Sequence, residues 1–302
     1  MLPKEAEVGF ATVAAGLGAE PHYNHRIEDF LVTTLQALIL GIVQGVAEFL
    51  PISSSGHLIV LQRVFGIEEP LVTFDIFVHI GSLVAIVIVF WQDIWTLIKN
   101  PFSKMTGLLI VGTLPVVVGG FILYTTGILE NNFRSGLWLA CAFTVSGLFL
   151  VVADKTTNTY KEEKDITYKD ALVIGLFQAL ALPPGITRSG TTIMGGLSRG
   201  INRAAAAKFS FMLAIIAIAG AGLLDLVASI RGSEYYEMFA DASSIGVVPM
   251  VVGFVASLVV GYFSIRLLLE LIKKCKLKYF SYYLWVLAAV ILLDYFIVNR
   301  FF

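Results

Sequence analysis

Hydrophobic positions in this chain gather into long unbroken runs, such as LLIVGTLPVVVGGFILYTTGIL (108–129) and FMLAIIAIAGAGLLDLVASI (211–230). About 18 or more apolar residues are enough for a helix to cross the hydrocarbon core of a bilayer. Six segments meet that length: 72–91, 106–128, 136–153, 204–230, 246–271 and 280–298. Two further apolar stretches are interrupted. LVTTLQALILGIVQGVAEFLPISSSGHLIVLQRVFG (31–66) breaks at Pro51 and a serine run, and YKDALVIGLFQALALPPGITRSGTTIMGGLSRG (168–200) breaks at Pro183-Pro184-Gly185. Proline and glycine end one helix and let another begin. Each stretch therefore predicts two short helices around a polar tip, a re-entrant hairpin. Irregular backbone at membrane depth survives only where protein buries it or where it lines a wet cavity.

Composition agrees: 57% of residues are hydrophobic and 14% charged, with mean hydropathy +0.84. A soluble enzyme, a disordered chain and a secreted disulfide scaffold are excluded on these grounds. A net charge of −1 gives no field for nucleic acid. Cys141 and Cys275 are far apart and have no metal spacing, so both read as packing residues. Residues 1–27 hold a short weak apolar run (8–19), too short to span and without the basic start of a signal peptide. They read as a disordered tail or leader, and His22 and His25 are set aside with them. Residues 28–302 then form one integral membrane domain.

Lys and Arg orient the chain by the positive-inside rule. Lys99 and Lys104, then Lys155, Lys161, Lys164 and Lys169, then Arg199 and Arg203, then Lys273, Lys274, Lys276 and Lys278 mark four basic connections. Opposite them stand Arg134, Arg231 and Arg300, with Glu68, Glu69, Glu234, Glu237 and Asp241. All four basic connections share a side only if 168–200 enters and leaves by the same face. That side is cytoplasmic, which puts 67–71 outside.

The two interrupted stretches resemble each other. ALILGIVQ (37–44) aligns with ALVIGLFQ (171–178), and ISSSG (52–56) with ITRSG (186–190), at one offset of 134. Three spans separate the copies, so the second must enter from the opposite face. The expected architecture is an all-α polytopic membrane protein with six transmembrane helices and two re-entrant hairpins. Its halves, about 28–153 and 168–300, form an inverted-topology repeat. Such repeats place their site near the midplane, at broken helices.

The first tip carries Gln44 and Glu48, one turn apart, then Ser53, Ser54, Ser55 and His57. A carboxylate in an apolar segment is a functional candidate by default. Glu48 could bind a divalent cation through oxygen or act as a base; the plainer reading is a carboxylate capped by its serines. The serines precede a helix whose first N–H groups could hold an anion. The second tip carries Thr187, Arg188, Ser189, Thr191 and Thr192. The planar fork of Arg188 suits phosphate; the alternative is a structural Arg188–Glu48 ion pair. Together the tips describe a phosphate site with a nucleophile or base. Inside a membrane, the phosphate belongs to a lipid. Asp75 and His79, i and i+4 on the first span, either support that site or line the lipid entrance, or form a satisfied structural pair.

These motifs, QGVAEFLPISSSGH (44–57) and PGITRSGTT (184–192), with FDIFVHIGSLVA (74–85) between them, resemble the bacterial undecaprenyl pyrophosphate phosphatases of the bacitracin-resistance type. The resemblance covers roughly 28–300. It implies six spans with two re-entrant hairpins. It also implies hydrolysis of undecaprenyl pyrophosphate to undecaprenyl phosphate and inorganic phosphate, recycling the lipid carrier for cell-wall synthesis. The site would open to the outer face of the bacterial cytoplasmic membrane. Mg²⁺ or Ca²⁺ is implied as cofactor, with Glu48 and Gln44 at the metal position. Glu48, Ser54, His57 and Arg188 would be catalytic, and Ser53, Ser55, Thr187, Ser189, Thr191 and Thr192 would bind the phosphates. Ser54 and His57 both stand as candidate nucleophiles. Gln44 stands where the family often has glutamate, and Thr187 where it commonly has serine. Partners would be the polyprenyl lipid and membrane lipids, with no nucleic acid; a homodimer is compatible with the sequence. The alternative from another class is a polyprenyl-phosphate flippase using the same anion site.

Overall fold

The structure, a computed structural model, describes residues 32–67, 70–126, 133–156, 159–231, 245–274 and 276–302. The leader 1–27, Glu68, Glu69, Glu234, Glu237, Asp241 and Cys275 lie outside the described residues, as do the side chains of Asp225, Arg231, Lys273 and Lys274. Among the described residues there are eleven α-helices and one isolated β-bridge, between Lys161 and Ile201.

Six helices are long and apolar enough to cross a membrane. They are α3 (Val72–Val89), α5 (Lys104–Thr126), α6 (Gly136–Lys155), α9 (Arg203–Arg231), α10 (Val247–Lys274) and α11 (Lys278–Leu293), the last continuing as a π-turn over Asp294–Val298. Each interrupted stretch forms two short helices: α1 (Thr34–Ala47) with α2 (Ser54–Val64), and α7 (Tyr168–Ala179) with α8 (Arg188–Ser198). At about 1.5 Å per residue, none of these four is long enough to span.

One expectation needs correction. The connection 92–105 contains a helix, α4 (Trp91–Lys99). Ile94 and Leu97 pack on the core while Trp91, Trp95 and Ile98 are exposed, and the rings of Trp91 and Trp95 stack at 5.9 Å. That is an interfacial amphipathic helix, too short and too polar for the run-length signal that found the spans.

The basic connections gather at one end. Lys104 Nζ donates to the Lys164 carbonyl at 2.9 Å, and Lys208 Nζ pairs with Asp93 (2.6 Å) and Glu163 (3.0 Å). Asp154 Oδ1 accepts from Arg203 Nη2 at 3.1 Å and from the Leu277 N–H at 2.9 Å. The two ends of the α7–α8 pair meet there, because Asp170, on the first turn of α7, is bound by Arg199 Nε at 2.8 Å and Lys161 Nζ at 3.0 Å. The buried carboxyl of Asp170 would be raised by desolvation. Hydrogen bonds from the Thr167 N–H, Lys161, Arg199 and the Thr167 hydroxyl instead hold it at about 2. At the other end, Val32 before α1 and Ile67 after α2 share one apolar cluster with Leu71 and Ile245. The two pairs thus start from opposite ends, an arrangement consistent with an inverted repeat.

Packing follows the same exchange. α1 lies on α10 and α7 on α5, α3 packs on α9, and α6 on α11. Hairpins therefore contact the middle span of the other half and third spans meet, while α3 lies chiefly on α10 and less on α9. Small residues permit the close crossings: a Cβ added at Gly41 would strike Gly253, and one added at Gly175 would strike Gly112. Gly41 and Gly175 are themselves related by the repeat offset of 134.

Candidate active site

Both tips are built by matching caps. Ser53 is the N-cap of α2 and accepts from the Gly56 N–H at 3.4 Å; Thr187 is the N-cap of α8 and accepts from the Gly190 N–H at 3.2 Å. Ser53 holds φ 72°, a left-handed value that side chains other than glycine rarely adopt. Such strain persists only where the surroundings enforce it. Here His57 enforces it: its Nδ1–H donates to the Ser53 carbonyl at 2.7 Å. That fixes the tautomer, so Nε2 accepts from the Tyr283 hydroxyl at 2.7 Å, and the two rings stack at 5.6 Å.

The tips touch at three places. Arg188 Nη2 pairs with Glu48 Oε1 at 2.5 Å, Ser189 Oγ donates to the Leu50 carbonyl at 3.2 Å, and the Gly185 N–H donates to Ser55 Oγ at 3.4 Å. Glu48 is the hub. Its Oε2 accepts from Ser54 Oγ at 2.6 Å and from Gln44 Nε2 at 3.1 Å, and lies 3.7 Å from His79 Nε2. His79 Nδ1–H donates to the Asp75 carbonyl at 2.6 Å, which aims Nε2 toward Glu48.

A cavity of about 490 Å³ opens over this hub. Its polar wall includes Glu48, Ser53, Ser54, Ser55, Thr187, Arg188 and Ser189. Pro70, Val72, Asp75 and Arg134 line it toward the end opposite the basic connections, and Ile76, Ile80, Val116, Ala217, Ile218 and Ala221 give it an apolar side. The size suits a headgroup and the first units of a chain.

The structure therefore brings Glu48, Ser54 and Arg188 together, with Ser53, Ser55, Thr187 and Ser189 around them. It places four expected residues elsewhere. His57 does not line the cavity, because both ring nitrogens are committed to Ser53 and Tyr283. Thr191 and Thr192 are buried, and their hydroxyls donate to the Arg188 carbonyl at 2.9 and 2.8 Å; Thr192 also meets Ser210 Oγ at 2.6 Å. They brace α8 from within. Gln44 is fully buried behind Glu48, off the cavity wall.

Asp75 and His79, for which the sequence left a supporting role and a satisfied pair both open, stand in the wall, and so do Arg134 and Gln178, which sequence reasoning left out of the site. Gln178 closes the same repeat match that Gln44 closes, a signal present in the alignment itself. Arg134 Nη2 donates to Gln62 Oε1 at 3.2 Å, and Gln62 Nε2 to Asp75 Oδ1 at 3.0 Å.

Among the described residues no three His, Cys, Asp or Glu side chains cluster as a metal cage. The candidate metal donors in the cavity wall are Glu48 and His79 beside Arg188, with Asp75 further along it. This set fits a hard cation that arrives with phosphate oxygens, as Mg²⁺ commonly does, rather than one held by protein alone.

Comparison with known proteins points the same way. A family model described as bacitracin resistance protein BacA matches residues 37–290. The undecaprenyl-diphosphatase of Carboxydothermus hydrogenoformans is 44% identical over 261 residues, covering 86% of this chain and 97% of that protein. Undecaprenyl-diphosphatase 3 of Bacillus cereus is 43% identical over 259 residues, covering 86% and 96%. The undecaprenyl-diphosphatase of Methanosphaera stadtmanae is 37% identical over 282 residues, covering 86% and 97%.

Proposed function

Because this chain belongs to the bacitracin resistance protein family, we propose that the cavity at the two tips hydrolyses undecaprenyl diphosphate to undecaprenyl phosphate and inorganic phosphate. The observation that carries the reading is the hydroxyl of Ser54 held 2.6 Å from a carboxylate that Arg188 pairs from the other tip. A nucleophile, its base and a phosphate-binding guanidinium thus share one cavity.

In the proposed reaction the terminal phosphoryl group sits between Arg188 and the N-terminus of α8. Glu48 takes the Ser54 proton as Oγ bonds to the terminal phosphorus. The phosphoanhydride bond breaks, and its electron pair leaves on undecaprenyl phosphate. Glu48 passes the proton it took to a phosphate oxygen of the departing undecaprenyl phosphate and is a carboxylate again. A water then gives its proton to Glu48 as its oxygen bonds to the phosphoserine phosphorus; the Oγ–P bond breaks, inorganic phosphate departs, and Glu48 returns the proton to Ser54. Arg188 offsets charge on the equatorial oxygens throughout, and such positioning and electrostatics dominate phosphoryl transfer. Nε2 of His79 faces the same carboxylate and can share its proton. A divalent cation, Mg²⁺ or Ca²⁺, would be held by Glu48 and the substrate's own oxygens and would supply further charge neutralisation. His57 serves in this scheme through Ser53, whose backbone it fixes next to the nucleophile.

The apolar side of the cavity would take the first prenyl units. The opening lies opposite the basic connections, which supports access from the outer face of the cytoplasmic membrane. A flippase would need the anion site but not the Ser54–Glu48 pair.

The test is release of inorganic phosphate from undecaprenyl diphosphate by the purified protein in detergent, with Ser54→Ala and Glu48→Gln beside it. Turnover by the wild type, its loss in both variants, and labelled phosphate trapped on Ser54 are expected. Label on His57 would move the nucleophile there, and lipid transfer without phosphate release would favour the flippase.

A further inference from the structure

Gln178 lines the cavity from the last turn of α7, and its amide takes no part in the hydrogen bonds that hold the fold. The residue is 1% exposed, and neither its Nε2 nor its Oε1 has a hydrogen-bond partner. The repeat explains why. Gln44, one offset of 134 earlier, donates its Nε2 to Glu48 Oε2 at 3.1 Å and lies 3.4 Å from Ser82 Oγ. The counterpart of Glu48 in the second half is Leu182, which can accept nothing. Duplication thus kept the amide in both halves and removed its partner in one. A buried polar group without a partner destabilises a fold, and each such group calls for a ligand, a water or an ion. Arg188 Nη1, in the same cavity wall, is also buried and unpartnered, while Nη2 of that guanidinium is spent on Glu48.

We propose that Gln178 is a substrate contact: its amide N–H and Arg188 Nη1 together donate to phosphoryl oxygens of the bound diphosphate. The inference deepens the phosphatase reading and rests on it. In it the first half supplies nucleophile and base through Glu48. The second half, freed of that carboxylate by Leu182, supplies neutral and cationic donors. An acid in place of Leu182 would tie up the amide and repel the phosphate.

The experiment uses the full chain purified in detergent. Gln178→Leu removes both polar atoms in an apolar setting. Its thermal midpoint without ligand should equal or exceed that of the wild type. Its kcat/KM on undecaprenyl diphosphate should fall between about tenfold and hundredfold, the range for losing one charged hydrogen bond. The stabilisation given by inorganic pyrophosphate should shrink in parallel. Gln178→Glu, of the same size but anionic, should fall further. Should Gln178→Leu fail to fold, Gln178→Asn withdraws the amide by one methylene and should lower kcat/KM at an unchanged midpoint. Wild-type kcat/KM and pyrophosphate response in these variants would overturn the contact. So would activity lost only in proportion to lost folded protein. A wild type that hydrolyses nothing, yet is stabilised by pyrophosphate through Gln178, would sink the phosphatase reading and leave the contact standing.

Discussion

Glu48 binds a guanidinium, a serine hydroxyl and an amide with its two oxygens, and each link can be cut separately. Ser54→Ala leaves the ion pair whole, so the protein should stay folded while turnover drops at least a thousandfold, about 4 kcal/mol of transition-state stabilisation. Arg188→Lys keeps the charge but loses the fork, and should bind pyrophosphate more weakly and turn over at least tenfold more slowly; equal kinetics would remove the guanidinium from the site. Tyr283→Phe strips His57 of its Nε2 partner on a distant span. It should lower kcat several-fold with KM little changed if His57 acts by fixing Ser53, and a silent variant would sever that link. Glu48 and Arg188 were legible in the sequence because a charge inside an apolar run must have a purpose. The direction of His57 was not legible. It depends on a tyrosine 226 residues away and on a left-handed turn at Ser53 that no residue pattern announces.

The short helix pairs stand or fall on how closely they approach their partner spans. Gly175 meets Gly112, and Gly41 meets Gly253, with no room for a Cβ. Gly175→Leu should therefore lower the thermal midpoint in detergent by the equivalent of about 3 kcal/mol or more and take activity with it, as overpacking a close crossing does. A neutral outcome would mean α7 can slide along α5. The neck of the second pair is electrostatic. Asp170 is held at about 2, below its ordinary 3.8, so its contribution to stability is complete above that ordinary value. It is lost as the solution is acidified through about pH 2. Asp170→Asn should be less stable than the wild type at neutral pH, and the gap should close toward pH 2. The spans themselves were legible because a run of some 20 apolar residues has few other uses. The helix Trp91–Lys99 was missed because nine amphipathic residues look like a polar connection when only run length is read.

At the scale of the molecule, two halves meet head to head and leave a cavity facing one side. In a variant freed of its own cysteines, Arg134→Cys should react with a membrane-impermeant thiol reagent added to intact cells, and Lys276→Cys only after permeabilisation. The reverse pattern would turn the protein over in the membrane. Chelation of divalent cations should slow phosphate release without shifting the thermal midpoint, since the cation is to be carried by the substrate; a large shift would point to a resident ion. The sequence argues for an inverted arrangement because three spans, an odd number, separate the two similar stretches, and the helix pairs start from ends consistent with it. The cavity's contents were legible only in part, because Asp75, His79 and Arg134 come from elements outside the repeated motifs. Finally, the Arg188–Glu48 bond balances these two charges of the cavity wall against each other. A single phosphate meets only the remaining Nη1 side of the guanidinium, while a diphosphate offers more oxygens to the donors around it. A monophosphate lipid is therefore expected to bind more weakly than the diphosphate, so adding it to the purified protein should inhibit turnover only slightly.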